Sequence, residues 1–510
     1  MRAEATIKNS LWGLLQQFII CILSIFSRSV MINTIGIEGV GLNGLLTNVV
    51  AVLSLAEMGI GTAIIFHMFK PLAYHDEEKV SSLLNFYRRV YLIIAVTVFT
   101  VGLSIMPLMR YIVHDVSYSN SYVLRIFLLF LIQTSSSYLF TYKRSLLSAD
   151  QKQYIISIFD LVMKIVTILG GIVILKMTKE LSYYLIFLTL AGLVNNIMIS
   201  IKVDRMYPYI KRNKNLLERS ERKSIFKDVK NIFIGRMSST ITNSTDNILI
   251  SALVGTIVTG LYSNYTIILN TLTSIMNQFS YAMMGSMGNM VVTETSEHIE
   301  KVLKTLVFIM FFIASFCSVC LICLIDPFIT LVFGENLLLE RYVVYICIGV
   351  FYFSSIKIPI WIMVQASGLF KVDKYIAIAG STINLVVSFV LGKMIGIAGI
   401  LLGTICTYVI QYNLKAVILY KKILHKNYMR IILITMFYFI ITCAECLFTS
   451  FLVIKLPDIN PYLRFIISGI IAASVPLIIN CLLFRNRPEF IDFKNRCLSI
   501  LGGKLHRRSA

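Results

Sequence analysis

Apolar residues run along this chain in blocks of about twenty, without the two-residue alternation of a half-buried strand. About twenty residues of helix cross the roughly 30 Å hydrocarbon layer of a bilayer. Backbone in lipid must satisfy its own hydrogen bonds, so unalternating runs of this length are helices rather than barrel strands. The pattern predicts spans near 10–33, 40–69, 86–113, 120–146, 154–176, 181–203, 231–254, 258–285, 302–326, 339–366, 374–394, 396–420, 429–454 and 461–484. The expected fold class is all-α: a polytopic membrane protein of about fourteen transmembrane helices, arranged as two six-helix bundles plus two C-terminal helices.

Composition sharpens the reading. Of the 510 residues, 57% are hydrophobic and 14% charged. A soluble domain has roughly a quarter of its residues charged, so here lipid is the solvent. The net charge of +21 does not point to nucleic acid, because the basic residues lie between apolar runs and not on one soluble face. They report topology instead. With the N-terminus placed in the cytoplasm, 34 of the 47 Lys and Arg fall on that side, 8 on the other and 5 within spans. The positive-inside rule then puts both termini in the cytoplasm and requires an even number of spans. The first apolar run continues into a full span with no small-residue cleavage site, so it is expected to be retained.

The expected organisation is an N-terminal six-helix bundle over 1–203, a basic linker over 204–230, a second bundle over 231–420, two added helices over 421–484 and a tail over 485–510. The linker turns amphipathic at Ile225, Phe226, Val229 and Ile232, and the tail repeats the theme with Phe490, Phe493, Cys497 and Leu501. Both are expected to lie on membrane lipid at the inner leaflet. An internal repeat supports the two bundles. Gly36-Ile-Glu-Gly-Val-Gly41-Leu42 aligns with Gly255-Thr-Ile-Val-Thr-Gly260-Leu261 at an offset of 219, which also sets Ser148-Ala-Asp-Gln on Ser367-Gly-Leu-Phe. An offset pairing like spans with like implies bundles of the same membrane orientation, with a substrate site at their interface.

Several motifs carry no chemistry. Gly39-Val-Gly41-Leu-Asn-Gly44 fits a dinucleotide fingerprint, but no strand precedes it. The sequon Asn243-Ser-Thr245 falls inside a span, and the six histidines are dispersed without metal-ligand spacing. The cysteines, including Cys317, Cys320, Cys323, Cys443 and Cys446, sit in apolar segments and read as packing. No nucleophile-base set, P-loop, cofactor motif or metal site is present in the sequence, so no enzyme activity is expected. Transport would draw on an ion gradient, a substrate gradient or a partner's ATP.

The informative residues are charges at membrane depth, each costing about 2.5–3.5 kcal/mol at a helix centre unless paired or wetted. They are Arg28, Glu57, Asp160, Lys164, Asp246, Lys357 and Glu445. Asp160 and Lys164 stand i,i+4 and are expected to form a structural pair. Arg28 maps by the repeat onto Asn247, beside Asp246, among Asn243 and other polar residues. If both bundles face one cavity, Arg28, Lys357, Asn247 and Asn243 offer an anion site, Arg28 with a planar fork suited to phosphate. Asp246 and Glu57 are then candidates for ion or proton coupling. The alternative for Arg28 and Asp246 is a dry bridge between helices.

On Arg28 with Gly36-Ile-Glu-Gly-Val-Gly41, Glu57-Met-Gly59-Ile-Gly61, Ser148-Ala-Asp-Gln-Lys-Gln-Tyr154, Asp246-Asn-Ile-Leu-Ile-Ser251, Gly255 and Gly260-Leu-Tyr-Ser263, the whole chain resembles the multidrug/oligosaccharidyl-lipid/polysaccharide (MOP) exporter superfamily. Within it the chain looks like the Wzx-type flippases of polysaccharide synthesis. The resemblance implies alternating access and an undecaprenyl-diphosphate-linked oligosaccharide as cargo, moved from the inner to the outer leaflet of a bacterial plasma membrane. It also implies glycosyltransferases and a polymerase of the same pathway as candidate partners. Rival expectations are a lipid II flippase or a multidrug exporter of the same superfamily, and, from another class, a membrane polymerase or ligase. The paired cations Arg28 and Lys357 weigh against a cation exporter. The short outer loop near Asp326–Arg341, which holds no Arg or His cluster, weighs against the enzymes.

Overall fold

The computed structural model describes residues 2–57, 60–113, 117–150, 152–211, 217–219, 221–223, 225–226, 229, 244–457, 459–492 and 494. Among them helices dominate and no strand occurs. The first stretch contains α1 (Arg2–Leu53), α2 (Ile60–Ala73), α3 (Glu77–Ile105), α4 (Asn120–Ala149), α5 (Gln153–Thr178) and α6 (Leu181–Met206). After the linker come α7 (244–253), α8 (Thr256–Thr293), α9 (Ser296–Val332), α10 (Arg341–Ile356), α11 (Ile358–Ala366), α12 (Phe370–Leu419), α13 (Met429–Ile454) and α14 (Pro461–Phe484). Two compact units result, Met1–Ser263 and Asn264–Ala510, and the boundary falls inside α8.

Ten helices among the described residues are long and apolar enough to cross a membrane. The chain is a multi-pass, all-α membrane protein. Two of the ten are too long for one crossing: α1 has 52 residues and α12 has 50, or about 75–78 Å of helix against roughly 30 Å of hydrocarbon. Each contains a break where the sequence predicts a boundary between spans. In α1 it is Gly36, at φ 70 and ψ 173, and in α12 it is Ile395–Gly396, with Gly396 at φ 61 and ψ −140. A side chain with a Cβ is strained at positive φ, so glycine is what lets the chain turn there.

The halves of α12 fold back on each other. Asn384 Nδ2 donates to Thr404 Oγ1 at 3.0 Å, Ser388 Oγ donates to the Ile400 carbonyl at 2.9 Å, and a Cβ on Gly403 would strike Ser388. In a straight helix residues 384 and 404 would stand about 30 Å apart. α12 is therefore a helical hairpin whose small residues let the backbones touch, a packing mode that suits lipid.

The repeat has a physical counterpart inside the first unit. Gly255, like Gly36, adopts positive φ, and the glycines five residues later meet. A Cβ on Gly41 would overlap the Thr256 carbonyl, and one on Gly260 would lie 2.7 Å from the Ile37 carbonyl. Equivalent segments of the two sequence halves thus cross backbone to backbone.

The linker differs from its expected place on lipid. Leu217 and Ile225 are buried in the core cluster of Val80, Leu84, Tyr87 and Tyr91, with Val229 packed against it. The ring of Phe226 meets Phe86 edge-on at 5.9 Å, and Glu221 pairs with Lys79. The protein's own α3 thus covers part of the face assigned to the bilayer, while Phe226 stays half exposed. Ile232 lies outside the described residues. In the tail, Phe490 packs on Phe308 and Asp492 faces Lys301 at 3.6 Å; Phe493, Cys497 and Leu501 lie outside the described residues.

The motif Ser148–Tyr154 forms a polar clasp. The Asp150 carboxylate accepts from the Tyr207 hydroxyl and pairs with Lys152 at 2.6 Å, while Lys152 Nζ lies 3.3 Å from the same hydroxyl. Burial alone raises the Asp150 pKa, but the bonds from Lys152 and Tyr207 outweigh it and hold the carboxyl below the usual carboxylate range. A depressed pKa contributes stability above the unfolded value that is lost as pH falls through the folded one.

Replacing Gly41 or Gly260 by Leu should destabilise the protein by about 1–3 kcal/mol or more through forced separation of the crossing. Gly44→Ala, at a position with open space around it, should be tolerated; thermal unfolding in detergent measures all three. Asp150→Ala should lower the midpoint at neutral pH, and the difference from wild type should shrink as the pH drops below the carboxylate range.

Candidate functional site

In the first unit, Arg28 is buried on α1. Its Nη2 donates to the Gly260 carbonyl at 3.3 Å and to the Ser263 hydroxyl, which itself donates to the Gly260 carbonyl at 2.6 Å. The guanidinium therefore joins α1 to α8 at Gly260, one of the two glycines of the crossing. Tyr184 of α6 is its aromatic neighbour. Asp246 is buried on α7 with Ser244 and Thr245 before it, and the Asn247 side-chain oxygen is buried with no hydrogen-bond partner among the described residues. Asn243 lies outside the described residues.

Within the first unit a cavity of about 380 Å³ is lined by Asn43, Thr47, Ser54, Gln133, Thr134 and Tyr184 with an apolar remainder. The i,i+4 spacing of Asn43 and Thr47 places both on one face of α1, and Gln133 and Thr134 come from α4. The side chains of Asn43, Gln133 and Tyr184 make no hydrogen bond among the described residues and line the open space. Amides and a phenol suit sugar hydroxyls, which both donate and accept. Tyr184 lines this wall and also lies within electrostatic reach of Arg28.

Glu57 closes a turn of 3-10 helix at Ser54–Glu57, where the expected second span is interrupted before α2. Its carboxylate faces the hydroxyl of Tyr138, with Tyr91 nearby, and those two rings stack at 6.4 Å. Asp160 corrects the sequence reading. It pairs with Arg144 of α4 and accepts from Asn195 Nδ2 of α6 at 2.8 Å, while Lys164 is exposed and makes no ion pair with it. Spacing along one helix cannot register groups arriving from neighbouring helices, and the long lysine stem lets its ammonium leave the helix face.

In the second unit, Lys357 occupies the junction of α10 and α11. Its Nζ lies 3.4 Å from the centroid of the Tyr408 ring and 5.2 Å from that of Trp361. Lys415 was not singled out from the sequence, because it lies near the end of an expected span. It is only 2% exposed, stands 3.5 Å from the Trp361 ring centroid and pairs with Asp373. Two ammonium groups thus share one indole, with a single carboxylate paired to one of them. Aromatic faces stabilise a desolvated cation without neutralising it, so two amines meet a single carboxylate here. The sequence signal was available as a lysine one turn inside the C-terminal end of an apolar run, but the same pattern marks snorkelling lysines.

Comparison with solved structures defines the class. The lipid II flippase MurJ, in an inward closed conformation, superposes with a TM-score of 0.64 at 17% identity, covering 92% of this chain and 98% of that one. A multidrug resistance MATE family transporter of the MOP superfamily, inward-facing, gives 0.62 at 13% identity, covering 79% and 97%. A MOP superfamily transporter from Pyrococcus furiosus gives 0.56 at 14%, covering 83% and 96%. At these identities the likeness is one of fold: this is the architecture of the MOP superfamily transporters. The sequence profile of the family described as polysaccharide biosynthesis protein matches residues 6–284, more than half the chain, and the protein belongs to that family. No curated protein matches the sequence.

Asp373→Asn leaves the buried Lys415 ammonium without its counter-charge and should cost about 3–5 kcal/mol of stability. Adding Lys415→Met should restore much of the loss. A double-mutant cycle read by thermal denaturation checks this, and additive losses would show that the pair is not coupled.

Proposed function

We propose that the protein is a flippase that moves an undecaprenyl-diphosphate-linked oligosaccharide from the inner to the outer leaflet of a bacterial plasma membrane. The observation that carries this reading is Lys357: an ammonium at membrane depth held by two aromatic faces, beside a second lysine, in a chain of the polysaccharide biosynthesis family. A diphosphate supplies the negative charge that such a site lacks. Arg28 and the polar cavity around Asn43, Gln133 and Tyr184 support the same cargo from the other unit.

In this reading the cations bind the diphosphate, the amides and hydroxyls around Asn43, Gln133 and Tyr184 engage sugars, and the lipid tail stays in the bilayer. The mechanism in this reading is alternating access. Both termini face the cytoplasm, and 231–420 forms the second bundle, in keeping with the basic residues of the loops. Asp246 and Glu57 are candidates for the coupling ion, and Asn243 and Asn247 extend the polar lining. The glycosyltransferases and polymerase of the pathway are candidate partners.

Reconstitution in liposomes with a fluorescent polyprenyl-diphosphate oligosaccharide tests the proposal. Wild type should equilibrate the lipid between leaflets, and Lys357→Met, Arg28→Ala and Asp246→Asn should each reduce the rate at least about ten-fold, the equivalent of one lost charge-assisted contact. Full activity in the Lys357 and Arg28 variants would remove the cationic site. Movement of lipid II in preference to other headgroups would redirect the function to cell-wall synthesis.

A further inference from the structure

Glu445 stands in the middle of α13 and is only 2% exposed. One carboxylate oxygen, Oε2, accepts from the Ser315 hydroxyl of α9. The other, Oε1, is buried without a partner. From α14, Asn480 faces the carboxyl, buried to 1% exposure, and neither its amide nitrogen nor its oxygen has a partner of normal geometry. One turn further along, Ser318 of α9 and Thr449 of α13 are also buried with unpartnered hydroxyls.

No Lys, Arg or His pairs with Glu445 among the described residues. The titratable groups that face it are Tyr352 of α10 and Cys446 of its own helix. None of these is a cation. An ionised carboxylate with no counter-charge and little water is the arrangement lipid tolerates least.

We infer that Glu445 is a proton-binding site built into the contact of α9, α13 and α14, and that its proton leaves only when those helices part enough to admit water. As the acid, the carboxyl gains an O–H, and Asn480, which faces it with both amide atoms unpartnered, can turn its oxygen to accept that proton. The orphan atoms of the closed contact are thereby reduced together. As the anion, the carboxylate needs solvation, which the closed contact does not give. Proton occupancy and helix separation are therefore linked, and the linkage sits outside the cation sites of both units. The proton site stands independently of the flippase reading; only its coupling to transport rests on that reading.

Labelling by the apolar reagent dicyclohexylcarbodiimide, which attacks protonated carboxyls in apolar surroundings, tests the site on the full-length protein in nanodiscs. Peptide mass spectrometry should place the label on Glu445, with labelling falling about ten-fold for each pH unit above its titration point. Infrared spectra should show a carboxylic-acid carbonyl band that disappears in Glu445→Gln. Absence of the label and of the band in folded wild type would overturn the site. Glu445→Gln imitates the protonated state and should keep its thermal midpoint while flattening the pH dependence of lipid transport. A proton found on Glu445 together with an unchanged pH profile in the variant would overturn the coupling alone. A wild type that moves no lipid at all would overturn the flippase reading and leave the labelling result in force.

Discussion

Lipid withholds the water that stabilises charge elsewhere, and most of the structure's polar detail answers that single shortage. Arg28 hands its protons to a backbone carbonyl and a hydroxyl of another helix, and Asp160 finds Arg144 and Asn195 on two neighbours. Lys415 pairs with Asp373 against an indole, while Lys357 meets aromatic faces and no carboxylate among the described residues. Ranked by completeness of compensation, these sites separate structural from functional groups. The ion-paired ones, Asp160 and Lys415, fasten helices together. The incompletely paired ones, Lys357 and Glu445, keep a capacity to take on charge or a proton.

Small residues are the second requirement, because helices in lipid gain little from burying apolar side chains and must approach closely to gain from packing. The Gly41–Gly260 crossing and the two halves of α12 show the same solution at two scales. In the first, the segments that touch are the two copies of one repeated motif. Their shared backbone twist, with Gly36 and Gly255 both at positive φ, explains why the resemblance between the copies survives at the glycines even where side chains have diverged.

Much of this was legible beforehand. Hydropathy located the helices, and glycines at 36 and 396 fell where expected spans abut, so even the two merged helices broke in the anticipated places. Depth in an apolar run was enough to flag Arg28, Lys357 and Glu445. Partners were harder. The i,i+4 rule joined Asp160 to Lys164 because it sees one helix at a time, whereas the true partners come from α4 and α6. Lys415 escaped notice because its position near a span end is indistinguishable from that of a snorkelling lysine until Asp373 and Trp361 are placed around it. The polar pocket of Asn43, Gln133 and Tyr184 combines uncharged residues from three helices, and no linear spacing rule links them. The linker's amphipathic face was recognised, but amphipathicity does not say whether lipid or protein covers it.

The Arg28 contacts also set a timetable for biogenesis. Their acceptors lie 232 and 235 residues downstream, and ribosomes add roughly 5–20 residues per second. For about 10–50 s, then, the newborn first helix holds a guanidinium whose eventual acceptors on α8 have not been made. During that interval it must linger near the insertion machinery, lean toward the headgroups or borrow a transient companion. The guanidinium that joins two helices in the finished protein is thus a hazard in the unfinished one, since it is translated well before the groups that secure it.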